Sequence, residues 1–478
     1  LLPDDLRGSF AALSVFRGGW FTEAAQQIIG GDAVPSLRDQ LARLQEHSLV
    51  IADTVRDPAS DEGATRVRFR LLDTLREFAA DQMTRDEKHA LAERHAAHYL
   101  QLAENAAPHL TGHQQRRWMD VLEAEHNNLR AALTHYDASG NAASGLRLAV
   151  ALRHFWNRRG YLREACEFLA LFLGHFSASP APEGDRMWQE ATGRNALGRA
   201  LRAAGNIAAG HHEQEIALEI WQRLRHNRGI ATTLLEIGIG TYLQGNAPEA
   251  TLLIENSLKL AREANDLTTV AGAMMNLGNI AISQHELALA RQYYQDCLPL
   301  ARSEDSAWLL ASTLNNLGEI SRLQGDLAAA TLFYEEALRG ARVLDNRLSN
   351  VLPLLNLAEI ARLTGDLTRS ETLIHESLTL VRNLGDVYMT AQCLFAAAAL
   401  ANAAQKPERA ATILGAVTAL QSAMAAWLDV SGPEDQQRLA DSLRATLGDT
   451  RFQIALAGGA AYPPDRIITF ALSGESTL

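Results

Sequence analysis

Lysine is nearly missing. Lys88, Lys259 and Lys406 are the only three in 478 residues. Glu87, Leu258 and Gln405 stand before them, so no Gly-Lys-[Ser/Thr] loop can be built to cradle a phosphate. Cysteine is as scarce. Cys166, Cys297 and Cys393 lie far apart in helical patterns, which argues against a disulfide framework or a CxxC metal site. Small buried side chains in a reducing cytoplasm are expected instead. Positive charge is not in excess: the net charge is −12, so nothing draws the whole chain toward nucleic acid or anionic lipid. No apolar run reaches the ~18 residues that span a membrane. The opening "LLPDDLRGSF" lacks the basic start and apolar core of a signal peptide. It opens on Leu1, not methionine, and a piece of a longer protein is expected.

Catalytic patterns are missing too. There is no Gly-x-Ser-x-Gly elbow. "HHEQE", His211 to Glu215, misplaces its second histidine for an HExxH zinc face. His95 and His98 sit i,i+3 on a helix, but no third ligand is evident, so they read as helix surface or packing. No catalytic residue, cofactor or metal site is expected in this chain.

What is abundant is alanine and leucine, which favour helices. The chain is also too long for one core, so several domains or a repeat array are expected. Gly205, Gly245, His285, Gly325, Gly365 and Gln405 follow one another at forty-residue steps. Gly198, Gly238, Gly278, Gly318, Ala358 and Ala398 precede them at one fixed offset, and Gly210, Ala250, Ala290, Ala330, Ser370 and Ala410 follow at another. Leu218, Leu258, Leu298, Leu338 and Leu378 complete the frame. Such a period marks stacked helical hairpins. A left-handed residue such as Gly325 ends one helix, and Asn206, Asn246, Asp326 or Asp366 caps the next. Pro407 opens its helix, where a missing N–H costs nothing. Gly318 and Ala330 let the two helices approach, while Leu317, Ile320, Tyr334 and Leu338 fill the space between them.

Leu277-Gly278…Ala290-x3-Tyr294 and Leu317-Gly318…Ala330-x3-Tyr334 resemble tetratricopeptide repeats (TPR), lengthened to forty residues and without the closing proline. The expectation is a mostly all-α chain: a right-handed TPR superhelical solenoid of about seven hairpins over 141–425, with a polar loop at 177–185. A winged-helix domain over 1–84 and a linker helical hairpin over 85–140 come first. Capping helices and a tail over 426–478 close it, with helices near 433–447 and 449–457.

The winged helix rests on helices Asp4–Phe16, Thr22–Ile29 and Pro35–His47, then strands in "SLVIADTV" and "TRVRFRLL". Val67, Phe69 and Leu71 alternate as an apolar strand face should. A DNA-reading third helix is disfavoured, since Arg38 and Arg43 are offset by Asp39 and Glu46. "LSVFRGGWFTEAAQQI", "LARLQEHSLVIAD", "VRFRLLDTLREFAADQM", "RHAAHYLQLAE" and "LEAEHNNLRAAL" resemble a succession in bacterial STAND-type regulators, signal-transduction ATPases. Their layout is that of the maltose-regulon activator and antibiotic-production regulators. The resemblance implies a winged helix that packs on a nucleotide-binding domain, and repeats that receive an inducer or protein partner. It implies ATP or ADP for that upstream domain and no cofactor here.

A repeat array binds along its concave face, formed by the first helix of each hairpin. Asn276, Asn316 and Asn356 recur there, with Asn279 nearby. They read either as a clamp on an extended peptide or as hydrogen bonds that fix the stacking. Glu319 with Arg322 and Glu359 with Arg362 form a second stripe, with Arg202 and Tyr242 at the equivalent place in earlier repeats. A stand-alone TPR scaffold for partner proteins is the alternative reading, and a DNA-binding regulator the second alternative.

Overall fold

The computed structural model describes residues 2–30, 37–58, 60, 64–110, 114–176, 183–303, 307–343, 347–384, 387–423 and 433–473. The chain divides into two compact units, Leu1–Thr269 and Val270–Leu478.

The first unit opens with α1 (Asp4–Leu13), α2 (Thr22–Ile29) and α3 (Leu37–Glu46). The expected start of α3 at Pro35 falls outside the described residues. Strands β1 (Ile51–Arg56) and β2 (Thr65–Arg70) pair antiparallel, Ile51 opposite Arg70 and Arg56 opposite Thr65. Trp20 lengthens the ladder by exchanging backbone hydrogen bonds with Phe69, at 2.8 and 2.9 Å. Phe16 stacks on the buried Trp20. The expected apolar strand face holds only in part: Phe69 and Leu71 pack against the core, and Val67 does not. Val67 is 45% exposed, while Arg66 and Arg68 are half-buried on the opposite face of β2. Both guanidiniums lie over the Phe21 ring, 4.5 and 4.8 Å from its centre. This face is held by cation–π contact and ion pairing, not by the aliphatic alternation.

Helix α4 (Asp73–Ala80) leads to α5 (Arg85–Ala106), whose start carries a Thr84/Glu87 capping box. Two more helices come next, α6 (Gln115–Ala124) and α7 (His126–Ala138). The stretch expected as a hairpin therefore holds three α-helices. A single core runs from Leu6 and Trp20 through Tyr99, Leu129 and Tyr136 to Phe155 and Phe172. The N-terminal helices and the first repeat hairpin thus share one buried interior.

Hairpins then stack: α8 (Ala142–Arg159) with α9 (Leu162–His175), α10 (Glu183–Ala203) with α11 (Ile207–Arg223), α12 (Asn227–Leu243) with α13 (Ala247–Glu263). The expected loop at 177–185 lies outside the described residues up to 182, and Glu183 already begins α10. The second unit continues with α14 (Leu267–Ser283), α15 (Leu287–Ser303), α16 (Ala307–Leu323), α17 (Leu327–Val343), α18 (Arg347–Leu363), α19 (Leu367–Leu384), α20 (Val387–Ala403) and α21 (Pro407–Ala423). From Ile207 to Pro407 a helix begins every twenty residues, half the sequence period. The turns explain that spacing. Each of Gly205, Gly245, His285, Gly325, Gly365 and Gln405 has positive φ, from 58° to 101°. The oxygens of Asn206, Asn246, Asp326 and Asp366 then accept from the third backbone N–H beyond, as caps.

Within a hairpin, glycine makes room for an aromatic ring. A Cβ on Gly318 would lie 2.5 Å from the Tyr334 ring, and one on Gly278 would lie 2.6 Å from Tyr294. Ala330, Leu317, Ile320 and Tyr334 are fully buried around that contact. The end of the stack is covered by α22 (Pro433–Leu447), α23 (Asp449–Ala460) and α24 (Pro464–Leu472). The last of these falls in the stretch expected as a tail. Its Ile467, Ile468 and Phe470 are buried, and the Arg409 guanidinium donates to the carbonyls of Phe470 and Ala471 at its carboxyl end.

Candidate functional site

The first helices of the repeats carry the expected residues, but the asparagines do not all act alike. Asn276 turns onto its own helix and donates to the Gly272 carbonyl at 2.8 Å. Asn316 donates to Asn279 Oδ1 of the preceding repeat at 3.3 Å, and the same oxygen accepts from the Tyr294 hydroxyl at 2.6 Å. Asn356 donates to Asn315 Oδ1, again one repeat back, at 2.6 Å. Asn316 and Asn356 thus sit in the stacking arrangement, with one amide donor committed between repeats.

The charged pairs are different. Arg322 grips Glu319 with two bonds, at 2.8 and 2.5 Å, and Tyr334 donates to the same carboxylate at 3.2 Å. Arg362 grips Glu359 the same way, at 2.8 and 2.6 Å. These side chains are only 26–36% exposed. The hydrogen bond to Glu319 raises the Arg322 pKa, burial opposes it, and Glu319 and Glu359 of the next repeat add to the rise. Burial, with Glu319 beside it, also pushes the Tyr334 hydroxyl up. Arg362 is raised chiefly by its bond to Glu359, and Asp435 of α22 contributes. The stripe is a row of alternating charge: Glu319, Arg322, Glu359, Arg362, Asp435. Each intrahelical pair stabilises its helix by a few tenths of a kcal/mol.

In the first unit the equivalent stripe is basic and differently used. Arg202 binds Glu236 of the next repeat at 2.5 Å and donates to that residue's carbonyl at 2.9 Å; Arg199 lies 3.4 Å from the same carboxylate. Glu236 occupies the repeat position of Asn276, Asn316 and Asn356. Its burial alone would raise the carboxyl pKa; Arg199 and Arg202 outweigh that and hold it low. Arg202 is therefore a link between repeats. Tyr242 is half-buried at the end of α12.

Sequence reasoning underrated one constellation. "EAEHNN" reads as a polar helix face, yet Glu125, His126 and Asn128 are buried. Arg68 reaches Glu125 at 2.5 Å and also donates to the carbonyls of Ala124 and Gly19, at 2.7 and 3.0 Å. Tyr99 and Asn128 donate to the other Glu125 oxygen, at 2.8 and 2.7 Å. Asn128 accepts from the backbone N–H of Arg17 at 2.7 Å and donates to Gly19 O at 2.8 Å. One polar hub thus joins the Gly18–Gly19 turn, β2, α5 and α7. The signal available was the Glu125-x-x-Asn128 spacing, which puts both side chains on one face of a helix turn. Nothing local says that an arginine from β2 will meet them.

His95 belongs to the hub's edge, 3.3 Å from Asn128 Oδ1, and packs on Phe16 and Tyr99. Burial holds its pKa down at about 3; the Asn128 bond opposes, and Arg17, His98 and His135 deepen the shift. The unfolded imidazole, near 6.5, binds a proton that the folded one refuses. The stability His95 contributes is therefore present above about pH 6.5 and lost as pH falls toward 3, at roughly 1 kcal/mol per pH unit. Urea midpoints should drop across that window, and His95→Gln should flatten the decline. Unchanged slopes would contradict this. Among the described residues no cluster of His, Cys, Asp or Glu could hold a metal ion, and no helix is long and apolar enough to cross a membrane.

The tetratricopeptide repeat family matches residues 269–342. Over 176 residues, 36% of this chain, the sequence is 32% identical to proteins of Mycobacterium bovis and Mycobacterium tuberculosis provisionally named HTH-type transcriptional regulators. Similar solved structures include a signal-transduction ATPase with numerous domains (STAND) and a tetratricopeptide repeat sensor, from Pyrococcus horikoshii. It is 13% identical with a TM-score of 0.44, covering 95% of this chain and 65% of that one. A Rap protein complexed with competence and sporulation factor is 13% identical with a TM-score of 0.47, covering 78% and 98%. The fold is a TPR stack preceded by a small helical domain with one strand pair. The chain spans about a fifth (19%) of the length of the mycobacterial relatives it matches.

Proposed function

We propose that this chain is the sensing arm of a regulator, with no catalysis of its own. In this reading a peptide or protein segment, or a small inducer, binds along the first helices of the repeats. The observation that carries it is the contrast between frame and stripe. Gly318, Ala330, Tyr334 and Leu338 hold the hairpin shape and have counterparts along the period, whereas the stripe positions change from Arg199/Arg202 through Ile239/Tyr242 to Glu319/Arg322 and Glu359/Arg362. A variable row on a fixed frame is what selective binding needs.

The three N-terminal helices and hairpin are, in this proposal, a winged helix that docks on a nucleotide-binding domain elsewhere in the same cytoplasmic polypeptide. ATP or ADP would belong to that domain. The lysines of this chain do not fit a phosphate loop, because each comes after a residue other than glycine. The mycobacterial relatives, named as transcriptional regulators, support a regulatory setting.

The test is a selection of displayed peptides on the whole chain. Peptides recovered on the wild type should bind a Glu319→Ala/Arg322→Ala/Glu359→Ala/Arg362→Ala variant at least about tenfold more weakly, a loss of about 1.4 kcal/mol. Equal binding to both, with unchanged helical circular dichroism, would count against the stripe.

A further inference from the structure

Gly160 and Gly205 each end a first helix with positive φ, 80° and 101°. His154 and Arg199 stand six residues before them, at the repeat position that Glu319 and Glu359 hold further along. Helices α8 and α10 are neighbours in one core: a Cβ on Gly193 of α10 would lie 2.8 Å from Leu146 of α8. The two stripe residues therefore lie on adjacent first helices. Next to His154, Arg153 takes the position of Gly198, Gly278 and Gly318 in later repeats. It is half-buried, and its guanidinium donates to the Val150 carbonyl of its own helix at 2.8 Å. No carboxylate among the described residues pairs with it. Arg199 lies 3.4 Å from Glu236 with its side chain 42% exposed, while Arg202 holds that carboxylate at 2.5 Å. Arg153, Arg199 and Arg202 thus have one carboxylate between them among the described residues. Burial, then Arg199, brings the Arg153 pKa down to about 10. Burial, then Arg153, Arg199 and Arg158, brings His154 down to about 2, so its imidazole is neutral and can donate an N–H.

We infer that the α8–α10 end of the stripe takes an acidic segment of a peptide or protein partner, with a carboxylate held by Arg153, His154 and Arg199. The inference rests on the sensing-arm reading and adds the chemistry of the partner. Guanidinium forks match carboxylate oxygens in pairs. A half-buried cation short of an anion gains most from receiving one, because its desolvation is then compensated. Long-range attraction does not account for such binding. The chain carries −12 overall and repels an acidic segment, a repulsion that salt confines to about 8 Å under physiological conditions. Affinity for acid must come from these side chains at contact.

The experiment titrates the whole chain into fluorescein-labelled hexaglutamate and follows the anisotropy. A saturable rise is expected, and labelled hexaglutamine should give none. Arg199→Gln should weaken binding about tenfold or more, and Arg199→Lys, which keeps the charge but not the fork, should fall between. Arg202 still answers Glu236 in both variants, so helical circular dichroism should match the wild type. Arg153→Met, of similar length and without charge, should weaken binding to a similar degree. Because Arg153 is half-buried, Arg199→Gln alone decides if that variant fails to fold. Absence of saturable binding, equal binding by wild type and Arg199→Gln, or hexaglutamine binding as tightly as hexaglutamate each overturns the inference. Displayed peptides that depend on Glu319, Arg322, Glu359 and Arg362, together with no binding of hexaglutamate, overturn this inference and leave the sensing-arm reading standing.

Discussion

Glu125→Ala is expected to destabilise the first unit by roughly 3–5 kcal/mol, the cost of leaving one partner of a buried ion pair alone. Glu125 is 5% exposed and answers Arg68, Tyr99 and Asn128 at once. Without it the Arg68 guanidinium keeps the carbonyls of Gly19 and Ala124 and the Phe21 ring but no anion, and the Tyr99 hydroxyl is buried with no acceptor. Replacing both charges, Arg68→Met with Glu125→Leu, should recover a large part of the loss, because the desolvation cost of each ion disappears with it. Recovery should stay incomplete, since Tyr99 still lacks its acceptor. Urea unfolding monitored by circular dichroism reads all three variants. A single variant within about 1 kcal/mol of wild type would mean that water already reaches the hub.

Tyr334→Ala should cost about as much, roughly 3–5 kcal/mol, for a different reason. Its ring is fully buried against Gly318, among Ala330, Leu338 and Leu354. Truncation leaves a void in a hairpin whose neighbours are stacked on it. The converse change, Gly318→Ala, places a methyl 2.5 Å from the ring and should cost about 1–3 kcal/mol by overpacking. The two should not add. In a Tyr334→Ala background the added methyl at 318 meets empty space and should be nearly neutral, so the double-variant cycle gives a strong coupling. Tyr334→Phe removes only the hydrogen bond to Glu319, worth about 1 kcal/mol. Additive losses would show that Gly318 and Tyr334 do not share one space.

The repeat frame was legible because its cause is local and recurs. A left-handed turn residue, an Asx cap and a small residue facing an aromatic each leave a mark at a fixed place, and forty residues later the mark returns. His285 and Gln405 could be assigned to the turn from position alone, and both take positive φ. Other features depend on partners distant in sequence. Arg68 and Glu125 meet across 57 residues, and no periodicity links them. The alternation of Val67, Phe69 and Leu71 pointed to an apolar strand face, but the adjacent arginines found Phe21 and Glu125, and Val67 turned to solvent. Arg202 looked free for a ligand because its partner, Glu236, stands where other repeats carry asparagine. The short α24 escaped notice because "PPDRIITFAL" starts with two prolines, and these open the helix instead of breaking it.

The charged stripe should recognise a partner independently of holding the helices together. Reversing both pairs, Glu319→Arg with Arg322→Glu and Glu359→Arg with Arg362→Glu, keeps an opposite-charge pair on each helix and inverts the field. Binding of peptides selected on the wild type should fall about tenfold or more, while the unfolding free energy shifts by less than about 2 kcal/mol, about half of it the lost Tyr334–Glu319 hydrogen bond. Unchanged binding, or binding lost only together with the fold, would contradict a recognition role for the stripe.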